Sequence, residues 1–437
     1  MRSEVLLFSS GSASQSLDVS TPRTQHGNSI QFSVQSVGGN FFLPAQPASS
    51  AEGQKGLLWQ IDNGSSGSVR MQSFSLPMSE HCPLPTLNLA FDVQLFPNLV
   101  LIEPTSPAGT HTSSLVAGLL STGVIFHWEQ PSEATRFSPE VKFYDLSSQI
   151  LSHGSPTALG SSGGAILVGC SDGTVLGLSH TAFLSSSTAS APAFELRPSS
   201  WGLGRLIAGV FSRGGTQMPP VAACLDLRLS GKPPAALVVY DDCTVRAFAL
   251  DARGGSHTEV LNDSLSAVSV QEAAAGRMSV ASAVLCVKGA EVVLVATLES
   301  HQDTSQRATS IFSLATAAGA SAPGSAGGKL VIQSRRKLAG FDAAATVVSA
   351  TLTGAMDGAS GGGGDVVWVL SRCHGVLRAA GYSTSSGQFV EAAMLHDQLA
   401  TLAFEDSALN DVVARVSNPF AQLRPLRPLR KAHLYRR

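Results

Sequence analysis

Short apolar runs occur in pairs along this chain, and each pair is joined by a brief polar hinge. In GAILVGCSDGTVLGLS, residues 164–179, two β-favouring runs flank Ser171-Asp172-Gly173. Because Asp and Gly tolerate the positive φ angles of tight turns, this pattern predicts a β-hairpin with Gly173 in its turn. A single hairpin is only marginally stable in water, so we expect neighbouring strands to cover it.

The same strand-turn-strand pattern occurs six times in the sequence. The other five units are KGLLWQIDNGSSGSVRMQSFSL (55–76), SSLVAGLLSTGVIFHWEQ (113–130), AALVVYDDCTVRAFALD (235–251), EVVLVATLESHQDTSQRATSIFSLAT (291–316) and DVVWVLSRCHGVLRAAGYS (365–383). Cys243 takes the turn position that Gly173 has in the first unit. Repetition of one β-β unit is typical of a β-propeller, in which each sheet packs against the next.

The spacing of the units is irregular, with 50 residues from Gly123 to Gly173 and 70 from Gly173 to Cys243. The common WD40 repeat is about 40–45 residues long and carries Gly-His and Trp-Asp signatures. Neither dipeptide marks these units. We therefore predict an all-β fold, specifically a divergent β-propeller.

Two segments have the period of an amphipathic helix instead. Residues 199–213 space their apolar side chains at i, i+3, i+4, i+7 and i+8, which predicts a helix between blades. A second helix is predicted from Ser407 to Val416, after the last blade, and its apolar stripe is a candidate interaction surface. That stripe consists of Leu409, Val412, Val413 and Val416.

These patterns divide the chain into four parts. Residues 1–50 are an N-terminal segment that we expect to be partly flexible, and residues 51–400 are the predicted propeller. Residues 401–423 are the helical segment, and residues 424–437 are a basic tail rich in Pro and Arg. Because Pro interrupts both helix and sheet, we expect this tail to be disordered, although it could contact acidic surfaces.

The apolar content and the net charge of the sequence limit the kinds of partner that we expect. The 437 residues are 43% hydrophobic and carry a formal net charge of −2, enough apolar content for a large core. Six of the last fourteen residues are Lys or Arg, so the preceding residues have a net charge of −8. An acidic body repels a phosphate backbone, so we expect no direct nucleic-acid binding by the propeller.

The cysteines indicate a reducing compartment. The sequence has six and no Cys-x-x-Cys pair, and four of them are predicted as small buried residues within or beside apolar strands: Cys170, Cys224, Cys243 and Cys286. The N-terminus has only four consecutive apolar residues, too few for a signal-peptide core of about 7–15. No apolar run approaches the ~18 residues that a membrane helix needs, so no membrane insertion is expected.

Candidate catalytic patterns lack the context that their chemistry needs. The Gly-x-Ser-x-Gly pattern occurs around Ser162 and Ser360. A nucleophile elbow places its serine between a strand and a helix, whereas Ser162 precedes a predicted strand and Ser360 lies in a glycine tract. GSAGGKL at 324–330 differs from a phosphate-binding loop in its glycine spacing and in having Leu330 where a hydroxyl is needed.

The eleven histidines show no metal-ligand spacing. His127, between Phe126 and Trp128, is interpreted as a structural histidine rather than a ligand. No carboxylate pair stands out from the turn aspartates. The sequence therefore predicts no catalytic residue, metal site or cofactor, and the chain is not expected to be an enzyme.

From about Leu87 to Leu402 the order of these elements resembles one family. This is the large propeller-plus-solenoid scaffold nucleoporin of the Y-shaped, outer-ring subcomplex of the nuclear pore, the hundred-and-sixty- or hundred-and-twenty-kilodalton nucleoporin. The motifs that carry the resemblance are LVAGLLSTGVIFHWEQP, ALGSSGGAILVGCSDGTVLGL, FELRPSSWGLGRLIAGVF, AALVVYDDCTVRAFALD and DVVWVLSRCHGVLRAAGYS.

The resemblance implies a seven-bladed propeller, other Y-complex nucleoporins as protein partners, and a place in the nucleus, at the nuclear envelope. It implies a scaffold that supports nucleocytoplasmic transport of protein and mRNA. The family's long helical solenoid does not follow here, so we expect a fragment of a member or the product of a truncated gene model.

Two other functions fit a propeller. One is an adaptor or substrate receptor of another multiprotein assembly, for example a ubiquitin ligase. The other is a propeller hydrolase, which is disfavoured because such enzymes display acidic or histidine clusters at the channel mouth, and the sequence shows none. A small-molecule substrate is accordingly not expected.

Overall fold

A computed structural model describes the chain in separate blocks. These are residues 14–19, 32, 36–42, 54–76, 86–102, 114–130, 140–179, 193–196, 218–229, 233–250, 257–266, 278–300, 307–316, 330–353, 365–373 and 376–393. Within them lie six β-sheets and one short helix.

The strands are grouped into sheets in chain order. Sheet 1 contains β1 (Ser14–Val19), β2 (Ser36–Phe42), β3 (Gln54–Asn63), β4 (Gly67–Leu76) and β5 (Thr86–Phe91). Sheet 2 contains β6 (Leu95–Ile102), β7 (Ser114–Leu120), β8 (Val124–Gln130) and β9 (Lys142–Asp145). Helix α1 (Ser147–Ser152) follows. Sheet 3 contains β10 (Pro156–Ser162), β11 (Ala165–Cys170), β12 (Val175–Ser179) and β13 (Phe194–Leu196).

The remaining sheets repeat this plan. Sheet 4 contains β14 (Val221–Leu227), β15 (Ala235–Tyr240), β16 (Thr244–Leu250) and β17 (His257–Ser264). Sheet 5 contains β18 (Met278–Lys288), β19 (Glu291–Ser300), β20 (Arg307–Thr316) and β21 (Leu330–Lys337). Sheet 6 contains β22 (Thr346–Thr353), β23 (Val366–Cys373), β24 (Val376–Ser383) and β25 (Phe389–Ala393).

The topology is propeller-like. Sheets 2 to 6 are four-stranded antiparallel meanders, and sheet 1 has the same arrangement with β1 added in parallel to its outer strand β5. Successive sheets contact each other mainly through their first strands, from β2 against β6 to β18 against β22. The predicted all-β, propeller-like class is confirmed.

The six predicted hairpins are the central strand pairs of the six sheets: β3–β4, β7–β8, β11–β12, β15–β16, β19–β20 and β23–β24. The blocks that the structure describes therefore hold six sheets, compared with the seven blades that the family resemblance implied.

Other predicted elements have different outcomes. The inter-blade helix at 199–213, the helix from Ser407 to Val416 and the basic tail lie outside the described residues. Helix α1 was not predicted; it is only six residues long and has no side-chain hydrogen bond at its cap residue Leu146. Strands β1 and β2 precede residue 51, so sheet 1 begins before the predicted start of the propeller.

Each neighbouring pair of sheets shares its own apolar core. All six residues of β15 are buried. Val238 and Tyr240 pack with residues of sheet 3, whereas Leu237 and Val239 pack with residues of sheet 5. A strand covered on both faces has no polar side, which explains why the hairpins appear in the sequence as unbroken apolar runs.

Turn chemistry fixes the central hairpins. In sheet 3 the N–H of Gly173 donates to the carbonyl of Cys170 at 3.0 Å, and Asp172 Oδ1 accepts from the N–H of Thr174 at 2.8 Å. Gly173 has a φ of 84°, as its place in the turn predicted. Cys243, at the same place in sheet 4, has a φ of 70° and is the one non-glycine residue with positive φ in the described blocks.

The turns of sheets 3 and 4 are also fastened to the loop before the first strand of their own sheet. The N–H of Ser171 donates to the carbonyl of Ser155 at 2.8 Å, and Ser171 Oγ accepts from the N–H of Ser155 at 3.0 Å. In sheet 4 the N–H of Asp241 donates to the carbonyl of Pro220 at 2.8 Å. These bonds satisfy turn backbone groups that the strand ladder leaves unpaired.

Polar side chains join the backbones of neighbouring sheets. Asn63 of sheet 1 is buried, its Oδ1 accepts from the N–H of Leu95 at 2.9 Å, and its Nδ2 donates to the carbonyl of Leu95 at 2.7 Å. Thr157 Oγ1 of sheet 3 donates to the carbonyl of Val221 in sheet 4 at 2.7 Å. The seams between sheets are thus held by hydrogen bonds as well as by apolar contact.

The turn at Gly173 gives a direct stability test. A Cβ there would lie 2.6 Å from the Cβ of Met218 and 2.7 Å from the carbonyl oxygen of Pro219, whereas a Cβ at Gly289, which also has positive φ, would meet open space. We expect Gly289→Ala to cost about 1 kcal/mol for the backbone alone. Gly173→Ala should cost about 1–3 kcal/mol more because of overpacking. Chemical denaturation measures both, and equal losses would contradict the packing.

Candidate functional site

The predicted interaction stripe cannot be placed, because Leu409, Val412, Val413 and Val416 lie outside the described residues. Ser360 lies outside them as well. The candidate site is therefore sought among the sheets, where the polar groups left over from the apolar cores occupy turns, strand ends and seams.

The Gly-x-Ser-x-Gly pattern around Ser162 is a hairpin. Ser162 ends β10 and pairs with Ala165 of β11, and the two residues between them, Gly163 and Gly164, have φ values of 57° and 78°. Positive φ at both turn positions is the geometry of a two-residue hairpin loop. Ser162 is 1% exposed, and a strand follows it instead of a helix. The geometry of a nucleophile elbow is therefore absent at Ser162.

The first glycine of this pattern also has a packing role. A Cβ on Gly160 of β10 would collide with the backbone of Cys224 in β14 of the next sheet. The absence of a side chain lets the first strands of sheets 3 and 4 approach closely. All three glycines of the pattern are thus explained by folding.

Histidines in the described blocks have structural surroundings. His127 is buried in β8. His153, which follows α1, places its Nδ1 2.9 Å from Asp172 Oδ2 in the turn of sheet 3 and its Nε2 3.5 Å from Glu195 Oε1 in β13. His153 therefore connects a loop, a turn and an outer strand. No set of three or more His, Cys, Asp or Glu side chains within the described blocks is arranged to hold a metal ion.

The four cysteines predicted within or beside apolar strands are buried free thiols, as the sequence predicted. Burial raises the pKa of Cys170, Cys224, Cys243 and Cys286 to about 12. Because the thiolate is the reactive form, these residues act as small apolar side chains at neutral pH.

A pair of carboxyl side chains lies at the seam between sheets 5 and 6, and it was not predicted from the sequence. Glu291 begins β19 and is hydrogen-bonded to Asp365, which immediately precedes β23. Lys288 Nζ lies 3.0 Å from Asp365 Oδ1, with side-chain exposures of 42% and 27%. The hydrogen bond with Asp365, then burial and the Asp365 charge, raise the pKa of Glu291 to about 7, while Lys288 and Thr384 lower it.

Thr384 connects this carboxyl pair to the turn that leads into the last strand. Its N–H and its Oγ1 both donate to the backbone carbonyl of Asp365, each at 3.0 Å. The rest of the turn is held by sheet 5, because Arg336 Nε donates to the carbonyl of Ser385 at 2.9 Å and the N–H of Ala339 donates to the carbonyl of Gly387 at 3.0 Å. We call residues 384–388 the clamped turn.

The clamped turn presents an exposed apolar pair. Phe389 and Val390 begin β25, the outer strand of sheet 6, and are 52% and 46% exposed. Phe389 contacts Tyr382 of β24 edge-on, with ring centroids 6.1 Å apart. An outer strand with large exposed apolar side chains is a natural place for another chain to pair. Phe389 and Val390 are the candidate interaction surface of the described blocks.

Comparisons with known proteins do not identify a family: no family model matches the chain and no curated protein matches it. Among solved structures it is similar to a crystal structure of BBS1N in complex with ARL6DN, at 11% identity and a TM-score of 0.32. That match covers 59% of this chain and 60% of the other, which is less than two thirds of its length.

A second similar structure is a putative 6-phosphogluconolactonase from Bacteroides uniformis, at 11% identity and a TM-score of 0.40, covering 82% of this chain and 96% of that one. Likenesses this distant carry no argument about function. In the described blocks, no helix has the length and apolar character that crossing a membrane requires.

The hairpin interpretation of Ser162 can be tested by two substitutions. Ser162 Oγ is buried and has no hydrogen-bond partner in the described blocks. Ser162→Ala should therefore change the free energy of unfolding by no more than about 0.5 kcal/mol, whereas Gly160→Ala should cost about 1–3 kcal/mol because it forces two strands apart. Urea denaturation measures both. Covalent labelling of Ser162 by a serine-reactive phosphonate would contradict the interpretation.

Proposed function

We propose that this chain is a non-catalytic scaffold that presents strand edges and turns to protein partners, as a subunit of the outer ring, the Y-shaped complex, of the nuclear pore. In that role it would support nucleocytoplasmic transport of protein and mRNA. The observation that carries the scaffold role is the exposed Phe389–Val390 pair on an outer strand of a body whose central strands are buried on both faces.

The two-sided burial decides which parts are free for partners. The central strands β7, β11 and β15 are buried at every residue, so they have no face left to offer. Within the described blocks an outer strand such as β25 pairs with a strand of its sheet along one edge only, and the backbone N–H and C=O groups of its other edge can extend a partner's sheet. Phe389 and Val390 add the apolar area that such a contact needs at its centre.

The nuclear pore is proposed from the family resemblance. The quoted motifs contain the central hairpins of four of the sheets, β7–β8, β11–β12, β15–β16 and β23–β24. Their order along the chain is what resembles the scaffold nucleoporins. We further propose other Y-complex nucleoporins as partners and the nuclear envelope as location.

The experiment is purification of the tagged protein from its own cells, with imaging of the same tag. We expect a nuclear-rim signal and co-purifying outer-ring nucleoporins. Recovery of ubiquitin-ligase subunits without nucleoporins would contradict the nuclear pore proposal and favour the adaptor role. Recovery of no protein partner would overturn the scaffold role itself.

Three matched variants locate the contact. Phe389→Asp should reduce partner recovery several-fold with little change in melting temperature, because the side chain is half exposed. Leu151→Asp on α1, also an exposed apolar residue at 39%, is the control and should leave recovery unchanged. Val413→Asp tests the stripe predicted from sequence. Equal recovery with Phe389→Asp and wild type would remove β25 as the contact.

A further inference from the structure

We propose that Glu291 and Asp365 form a proton-sharing latch that fastens sheet 6 and the clamped turn to sheet 5, and that the latch weakens as the pH rises through neutrality. This inference does not depend on the proposed function. It rests on three elements that meet at one seam: the β18–β19 turn, the start of β23 and the clamped turn.

The geometry of the seam brings the groups together. Lys288 and Glu291 are opposite each other in the β18–β19 ladder, at the mouth of a turn formed by residues 289 and 290. Lys288 contacts Asp365 of the next sheet at 3.0 Å, and Glu291 is hydrogen-bonded to the same carboxyl group. Asp365 is therefore held by two side chains of sheet 5 at once.

The charges do not balance when both carboxyl groups are ionised. Among the described residues, the charged groups that act on Glu291 are Asp365, which precedes β23, and Lys288 of β18, and the hydroxyl of Thr384 is the neutral group beside them. Two carboxylates share one ammonium, so one proton retained between the carboxyl groups converts a repulsion into a hydrogen bond.

The direction of the pH effect follows from linkage. The pKa of Glu291 in the folded chain is raised to about 7 from its ordinary value of 4.5. A raised pKa means that the folded state holds the proton more tightly, so the stabilisation is fully present below pH 4.5 and is lost as the pH rises through about 7. The latch is thus closed in mildly acidic solution and weakened in mildly alkaline solution.

A weaker contact at Asp365 affects the exposed residues Phe389 and Val390 through the clamped turn. Thr384 holds that turn to the Asp365 carbonyl by two hydrogen bonds, and strand β25 begins at Phe389, immediately after the turn. When both carboxyl groups are ionised, Asp365 is repelled from Glu291. The two hydrogen bonds that Thr384 donates to the Asp365 carbonyl are then strained. The prediction is increased opening of the clamped turn and the start of β25 at alkaline pH.

The test compares wild type with Glu291→Gln in the full chain between pH 5 and 8.5. Gln keeps the donor of the protonated acid and cannot ionise. The two proteins should melt together at pH 5, and the variant should melt higher by roughly 1–3 °C at pH 8.5, since the partly exposed site is screened. Hydrogen exchange at pH 8.5 should be several-fold slower in the variant at residues 384–390.

Glu299→Gln is the matched control, because Glu299 lies on the same strand and its Oε2 accepts from Arg307 Nε at 2.6 Å. That variant should gain no stability at pH 8.5. Asp365→Asn removes the second carboxyl group of the pair, so no proton can be shared. This variant should also lose the pH dependence of the melting temperature. A Glu291→Gln protein that melts at or below wild type at pH 8.5, or unchanged exchange at residues 384–390, would overturn the latch.

Discussion

Burial of the central strands on both faces is the constraint on which this fold depends. Side chains of β15 alternate between cores shared with sheet 3 and sheet 5, so neither face tolerates a polar residue. Fully burying one Val or Leu side chain is worth about 1.5–3 kcal/mol, and the same pattern recurs in β7 and β11. Removing one sheet would expose apolar surface on both of its neighbours. The sheets therefore stabilise one another in series.

Pairing satisfies buried polar groups both between sheets and within a sheet. Asn63 satisfies both of its amide atoms on the backbone of Leu95. Arg246 and Glu259 form an ion pair at 2.7 Å with side chains only 12% and 7% exposed. Removing one member of such a buried pair would leave an uncompensated charge, which is far more costly than the pair itself is stabilising. The Asn63 contacts specify how sheets 1 and 2 align, because apolar contact alone is not directional.

The features that could be predicted from the sequence are those that depend on residues close together in the chain. Hairpin turns such as that at Gly173 depend on a few adjacent residues, and two-sided burial makes the central strands read as apolar runs, so all six central hairpins could be predicted. Outer strands such as β17 have mixed burial and gave no comparable signal. The Glu291–Asp365 pair could not be predicted, because the Lys288–Asp365 contact beside it joins positions 77 residues apart that only sheet packing brings together.

The same constraint explains why the latch and the exposed apolar pair both lie beside the clamped turn. Strand ends are where side chains of successive sheets can meet without entering a core, so charges of sheet 5 and sheet 6 converge at the mouth of the β18–β19 turn. Outer strands such as β17 and β25 are less completely buried than the central strands, and Phe389 is half exposed beside this seam. A partner that pairs with β25 would contact a strand whose anchoring turn is held by Thr384, Arg336 and Ala339. Binding at that edge and protonation at that seam would then be linked, since each favours the clamped arrangement of the same turn.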